Sequence, residues 1–361
     1  MCKSLPIYRL TGEDVPRLPG WLFDRCPVRI NERVKRGVIF LGIVDDTGAF
    51  APYGTGFLLG HRVDSDDWFL YLVTAKHVID DMRATNRPMV GRLNLKAGGA
   101  QIGRVTDAWE THPTDPKCDV AVAPFVASLD TFDFGIVPTT HVLTDAYVAE
   151  NNVGGGDSVF TVGLLVSHFG REKNVPVVRS GNIAAMPDEK VDLGDKYGHQ
   201  LVYLIESRSI GGLSGSPVYL QTPAFRVLKG MITPMTDHQT EYLLGVHIGL
   251  FETKASGDSI RSDTAERREN FLEAMSAGIG VVVPIQRAIE IIDGPGFVRQ
   301  REEVMKRHKE KTAFVPSSVT PISDSVLSEN GSRPSSDENP NAREDFMRLQ
   351  GVAARKQKPA D

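Results

Sequence analysis

Cysteine is scarce in this chain: Cys2, Cys26 and Cys118 are the only thiols in 361 residues. An odd number at wide spacing builds neither a disulfide framework nor a zinc cluster, and it points to a reducing compartment. No excess of one charge sign is present either. The 41 basic and 46 acidic side chains leave a net charge of −5, so no global basic field invites nucleic acid. Long apolar runs are missing too. The longest, around Ile279–Ile285, falls far short of the roughly 20 residues of a membrane helix. The opening residues lack the apolar stretch of a secretory signal. These absences lead us to expect a soluble, cytoplasmic protein with no nucleic-acid or membrane partner. His112 has no further ligands at metal-binding spacing, and the glycines at 154–156 lack the Lys-Ser/Thr of a phosphate loop. No metal and no cofactor are therefore expected.

What is present looks globular. Hydrophobic residues make up 41% and charged residues 24%, which excludes whole-chain disorder. The 34 glycines and 22 prolines suit many short strands joined by tight turns. Apolar runs of strand length occur at Gly37–Ile43, Gly54–Gly60, Trp68–Thr74 and Asp119–Phe125. Others follow at Ser158–Leu165, Val177–Ala184, Leu201–Ile205, Ser216–Leu220, Val227–Ile232, Tyr242–Leu250 and Ile279–Ile285. Punctuation by Gly, Pro, Asn and Asp predicts an all-β barrel or sandwich. Helices are expected only at Lys76–Arg83, Thr264–Ala277, Pro284–Ile292 and within the charged run Arg299–Lys311.

The best internal boundary is Ala149–Asp157, polar and with three consecutive glycines. It divides the chain into an N-terminal extension (1–34), a first half (35–150), a second half (151–296) and a tail (297–361). Eight serines and four prolines fall within Val315–Pro340. That stretch cannot bury enough surface to offset chain entropy and is expected to be disordered. Asn341–Lys356 has Phe346, Leu349 and Val352 at helical spacing, a frayed tail or a short partner-binding helix.

Three segments carry chemistry together. In Leu72-Val73-Thr74-Ala75-Lys76-His77-Val78 a strand ends at a histidine. In Cys118-Asp119-Val120-Ala121-Val122 an aspartate opens an apolar strand. In Gly211-Gly212-Leu213-Ser214-Gly215-Ser216-Pro217-Val218 a glycine-rich turn presents a serine. A serine hydroxyl is a poor nucleophile without an adjacent base. A histidine titrates near neutrality and can take the proton and return it. A buried carboxylate fixes the imidazole tautomer. Glycines beside the serine let backbone N–H groups converge on an oxyanion. Each segment alone has a plainer explanation: a structural histidine, a cap or turn residue, a turn. Their order, His, Asp, Ser, with gaps of 42 and 95 residues, makes the joint pattern specific.

Over residues 35–292 these motifs resemble the chymotrypsin/trypsin-like serine proteases. The resemblance rests on TAKHV, DVAV, GLSGSPV, GTGFLLG, LLGVHIG and GVVVPI. It implies two six-stranded antiparallel β-barrels, followed here by a C-terminal helix and the tail. It implies Ser214 as nucleophile, His77 as general base and acid, and Asp119 as the orienting carboxylate. The N–H groups of Gly212 and Ser214 would form the oxyanion hole, and Arg208 and His247 would fall in the specificity pocket. A histidine in GVHIG resembles the pocket histidine of proteases that cut after Glu or Gln; the plainer reading makes His247 a core residue and Arg208 a solvated one. Ser216 is expected to be a turn residue. Leu213 stands where digestive relatives carry the aspartate of zymogen activation, so that switch is expected to be absent. The implied substrates are proteins or peptides; the charged helix and tail would separately suit docking of a regulatory protein partner, which the sequence does not name. A rival enzyme class, the α/β-hydrolases, orders its triad Ser, acid, His and follows the serine with a helix. A catalytically silent or partner-activated domain used as a binding module stays open.

Overall fold

The strands follow the apolar runs, and their pairing brings the chemical segments together. The computed structural model describes residues 8–9, 30–63, 67–207, 212–235, 240–251 and 278–313. The chain divides into two units, 1–313 and 314–361, and every described residue lies in the first. The expected helix Thr264–Ala277, the Ser/Pro-rich tail, the Asn341–Lys356 segment and Arg208 lie outside the described residues.

The first half is a ten-stranded sheet. Its main strands are β1 (Val38–Val44), β2 (Phe50–Arg62), β3 (Asp67–Thr74), β4 (Met89–Leu95), β5 (Ala100–Arg104), β6 (Glu110–Thr111) and β7 (Ala121–Pro124). Their order across the sheet is β5-β4-β1-β2-β3-β7-β6. Three short strands pair off this path, at Tyr8–Arg9, Phe132–Asp133 and Val137–Pro138.

The second half closes on itself. The strands are β8 (Ser158–Gly163), β9 (Val177–Ala185), β10 (Tyr203–Glu206), β11 (Pro217–Gln221), β14 (Glu241–Leu250) and β15 (Ile279–Pro284). They form a closed six-stranded barrel in the order β8-β9-β10-β15-β14-β11. Among the described residues one barrel is closed, in the second half, and the first half forms a ten-stranded sheet.

Alternation explains why several barrel strands are apolar on both faces. In β8, Val159 points into the barrel core, whereas Phe160 and Val162 join the larger core shared with the first sheet. In β15, Val282 lies inside, and Val281 and Val283 join the shared core. Side chains alternate across a strand, so a wall between two cores must be apolar at every position. That shared core also holds Phe40, Phe57, Leu58, Phe69, Leu72, Tyr219 and Val246.

The run Val227–Ile232 is a hairpin rather than the single expected strand: β12 (Phe225–Leu228) and β13 (Met231–Pro234). Lys229 and Gly230 between them have φ of +52° and +78°, the positive pair that a tight hairpin turn requires. Strands β4 and β5 carry too many polar residues to stand out as apolar runs. Helix α1 (Lys76–Ala84) follows β3, and α2 (Gln286–Ile292) and α3 (Pro295–Ala313) follow the barrel. Among the described residues no helix is long and apolar enough to cross a membrane.

Candidate active site

Strand register places the first two groups. Antiparallel pairing of β3 with β7 sets Thr74 opposite Ala121. The residues just beyond each strand end, His77 and Asp119, are therefore neighbours. Helix α1 begins at Lys76 behind Ala75, which has no capping side chain. A helix start leaves its first N–H groups without partners, and Asp119 supplies what Ala75 cannot. Its Oδ1 accepts the His77 N–H at 2.8 Å, and its backbone carbonyl accepts from Lys76 N at 3.3 Å. The second carboxylate oxygen, Oδ2, lies 2.6 Å from His77 Nδ1. Asp119 is thus cap and ring partner together, and it is 4% exposed. A carboxylate at Nδ1 holds the proton there and leaves the Nε2 lone pair for another partner.

The serine turn docks against the same strand ends. Thr55 N donates to the Ser214 carbonyl at 2.9 Å, and Gly215 N donates to the His247 carbonyl at 2.8 Å. His247 N in turn donates to the Ser216 carbonyl at 2.9 Å. Gly215 has φ +83°, and a Cβ there would stand 2.0 Å from the Thr55 carbonyl and 3.1 Å from Ala75 N. No other residue fits this approach. It sets the Ser214 turn directly against the segment that leads into His77. Gly54 is equally close-packed: a Cβ there would meet Val78 at 2.8 Å and the Ser214 carbonyl at 3.0 Å.

The donors around the turn divide cleanly. Gly215 and Ser216 give their N–H groups to carbonyls, Ser216 to that of Leu213 at 2.9 Å. Among the described residues the N–H groups of Gly212 and Ser214 have no such partner. Ser216 is fully buried, its Oγ unpaired and against Gly163, where a Cβ would lie 1.9 Å from it. Its hydroxyl faces Gly163, whereas Ser214 is partly exposed.

His247 lies beneath the turn on β14, 2% exposed, with Nδ1 unpaired among the described residues. Burial, helped by the nearby His77, pushes its pKa down to about 4, so the ring is neutral at pH 7. Gly280 on β15 leaves it room: a Cβ there would stand 3.0 Å from its Nε2. Arg208, its expected companion, is outside the described residues.

Two further residues shape the site without standing out in sequence. His112, in the loop before Asp119, is buried. Its Nδ1 accepts from Asp115 N at 3.0 Å, and its Nε2 hydrogen-bonds Glu290 on α2. Its partner is 178 residues away, which no local pattern reveals. Cys118 beside Asp119 is buried, and burial lifts its thiol to about 12, so it stays protonated and unreactive. Among the described residues no group of three or more His, Cys, Asp or Glu could hold a metal ion.

The family model described as a trypsin-like peptidase domain matches residues 54–224. That span runs from the glycine before Thr55, through His77 and Asp119, to beyond the Ser214 turn. A search of curated proteins finds no significant match.

Proposed function

We propose that this chain, whose residues 54–224 match the model of a trypsin-like peptidase domain, is a serine endopeptidase working through His77, Asp119 and Ser214. The observation that carries the reading is the two-point hold of Asp119 on His77, at 2.8 Å and 2.6 Å, with the Ser214 turn packed against the same strand ends.

The steps follow from the groups. His77 Nε2 removes the proton from Ser214 Oγ as the hydroxyl attacks the scissile carbonyl. Asp119 holds the ring and stabilises the imidazolium that results. The carbonyl oxygen becomes an oxyanion, and the N–H groups of Gly212 and Ser214 are the donors without other carbonyl partners. His77 then returns the proton to the leaving amine, which gives an acyl-enzyme. Water, activated by the same imidazole, releases the acid and restores Ser214. Leu213 has no carboxylate to pair with a newly cut N-terminus, so this chemistry calls for no zymogen cleavage.

Substrates are proteins or peptides with Glu or Gln before the scissile bond. Two features support this. His247 has a buried, unpaired Nδ1, and buried polar atoms rarely lack a partner. A neutral imidazole offers a donor and an acceptor that match an amide, and a guanidinium at Arg208 would add attraction for a carboxylate. In a peptide library the wild type is expected to favour Glu and Gln at that position. His247→Ala is expected to flatten the preference at least tenfold. A Lys or Arg preference that survives His247→Ala would end this assignment.

A further inference from the structure

We infer that the Thr55 hydroxyl is a positioning group for the oxyanion-binding turn, a role that rests on the serine-peptidase reading above. Thr55 lies on β2, 22 residues before His77 in the chain, and is completely buried. Its side chain joins three segments. Oγ1 donates to the Gly212 carbonyl at 2.9 Å and accepts from Leu164 N at 2.8 Å. Its backbone N–H holds the Ser214 carbonyl at 2.9 Å. The Thr74 hydroxyl, at the end of β3, secures the Thr55 carbonyl at 2.7 Å. One residue of the first sheet therefore grips the turn at both Gly212 and Ser214, the two residues whose N–H groups are proposed to bind the oxyanion.

The hydroxyl is needed because Gly212 cannot hold itself. Gly212 has φ +102°, and a Cβ there would meet Val166 at 2.8 Å and the Leu164 carbonyl at 3.0 Å. Only glycine fits, and glycine crosses easily between backbone basins. Fixing its carbonyl on Thr55 fixes the plane of the following peptide. Held there, Gly212 has less freedom to turn its own N–H away from the site. Oxyanion donors act through preorganisation, so a turn free to rotate would lose rate without losing substrate affinity.

The Leu164 side of the grip is itself braced. The loop after Leu164 is tied to the first sheet through Arg92 on β4. Arg92 donates to the carbonyls of Phe169 at 3.5 Å and Arg171 at 2.8 Å, and to Asn174 Oδ1 at 2.9 Å. Asn174 returns a bond to the Arg92 carbonyl at 2.6 Å. The Leu164 N–H thus reaches Thr55 from an anchored segment.

The test uses the full chain and one peptide substrate. Thr55→Val keeps the shape and removes both hydroxyl bonds, and Thr55→Ser keeps them. We expect Thr55→Val to lower kcat about 10- to 100-fold, a fraction of the loss seen when an oxyanion donor is deleted, with KM within threefold. Thr55→Ser is expected to stay within threefold of wild type in both constants. A cooperatively melting Thr55→Val with kcat within twofold of wild type would overturn the proposal, as would an equal loss in Thr55→Ser. Should Thr55→Val not fold, Thr55→Cys replaces it. A thiol is a weak donor and acceptor, so its kcat should fall several-fold, and an unchanged kcat overturns the proposal. Labelling of wild-type Ser214 by a fluorophosphonate separates the two levels. An unlabelled wild type sinks the peptidase reading and this inference with it. A labelled wild type with a fully active Thr55→Val sinks only the inference.

Discussion

Asp119 does two jobs with one carboxylate, and the two can be separated. Oδ1 caps the first turn of α1, and Oδ2 orients His77. Asp119→Asn can keep an acceptor for the cap but favours the wrong imidazole tautomer. We expect kcat to fall about 10⁴-fold while the melting temperature moves little. Steady-state kinetics and a thermal melt on the same sample check this, and a loss under tenfold would remove Asp119 from the site. The candidates His77, Asp119 and Ser214 stood out in the sequence because each sits at a strand end or in a glycine turn with a chemically unusual neighbourhood. Thr55 was not. Its partners Leu164 and Gly212 are 109 and 157 residues away, and a threonine inside GTGFLLG has the look of any strand residue. Ser216, expected to be a turn residue, is fully buried against Gly163.

At the scale of elements, the polar interruptions were the hard part. Strand β4 escaped the reading because Arg92 and Asn94 break the apolar run, and these two residues are the ones that reach Asn174 across the fold. A buried guanidinium with three carbonyl-type acceptors holds the 169–175 loop. It also covers the ring of Phe169 at 5.4 Å. Arg92→Leu removes the donor and strands those acceptors. We expect a loss of about 2–4 kcal/mol, measured as a lower urea midpoint at unchanged slope. A loss under 0.5 kcal/mol would mean the loop holds itself. The β12–β13 hairpin was misread for the opposite reason. Val227, Leu228, Met231 and Ile232 look like one continuous apolar strand, and only the Lys229-Gly230 pair between them marks the reversal.

For the whole molecule, the apolar periodicity was enough to reveal an all-β fold, and the Gly-rich stretch near residue 155 falls just before the first barrel strand. Closure was expected from the resemblance, not from the strand pattern. Which strands complete a barrel depends on the β8–β11 and β10–β15 pairings, and the sequence pattern is silent on partners so far apart. Burying a neutral His247 in this barrel ties stability to pH. Its pKa falls from 6.5 to about 4, burial being the main cause. Between those values the unfolded chain binds the proton and the folded chain does not. The stabilisation is therefore complete above pH 6.5 and is lost as pH falls toward 4. Denaturant titrations at pH 7.5 and 4.5 should find wild type losing roughly 2–3 kcal/mol more than His247→Leu between the two. His61 and His141, also lowered by burial, are common to both proteins and cancel. Equal pH dependence in the two would mean that His247 is not buried as described.

Whether Ser214 is a working nucleophile is tested most directly by a fluorophosphonate probe followed by peptide mapping. The account predicts a covalent adduct on Ser214 in the wild type, none on Ser216, no labelling of Ser214→Ala, and labelling slowed at least 10³-fold in His77→Ala. An unlabelled wild type, or equal labelling of Ser214→Ala, would contradict it.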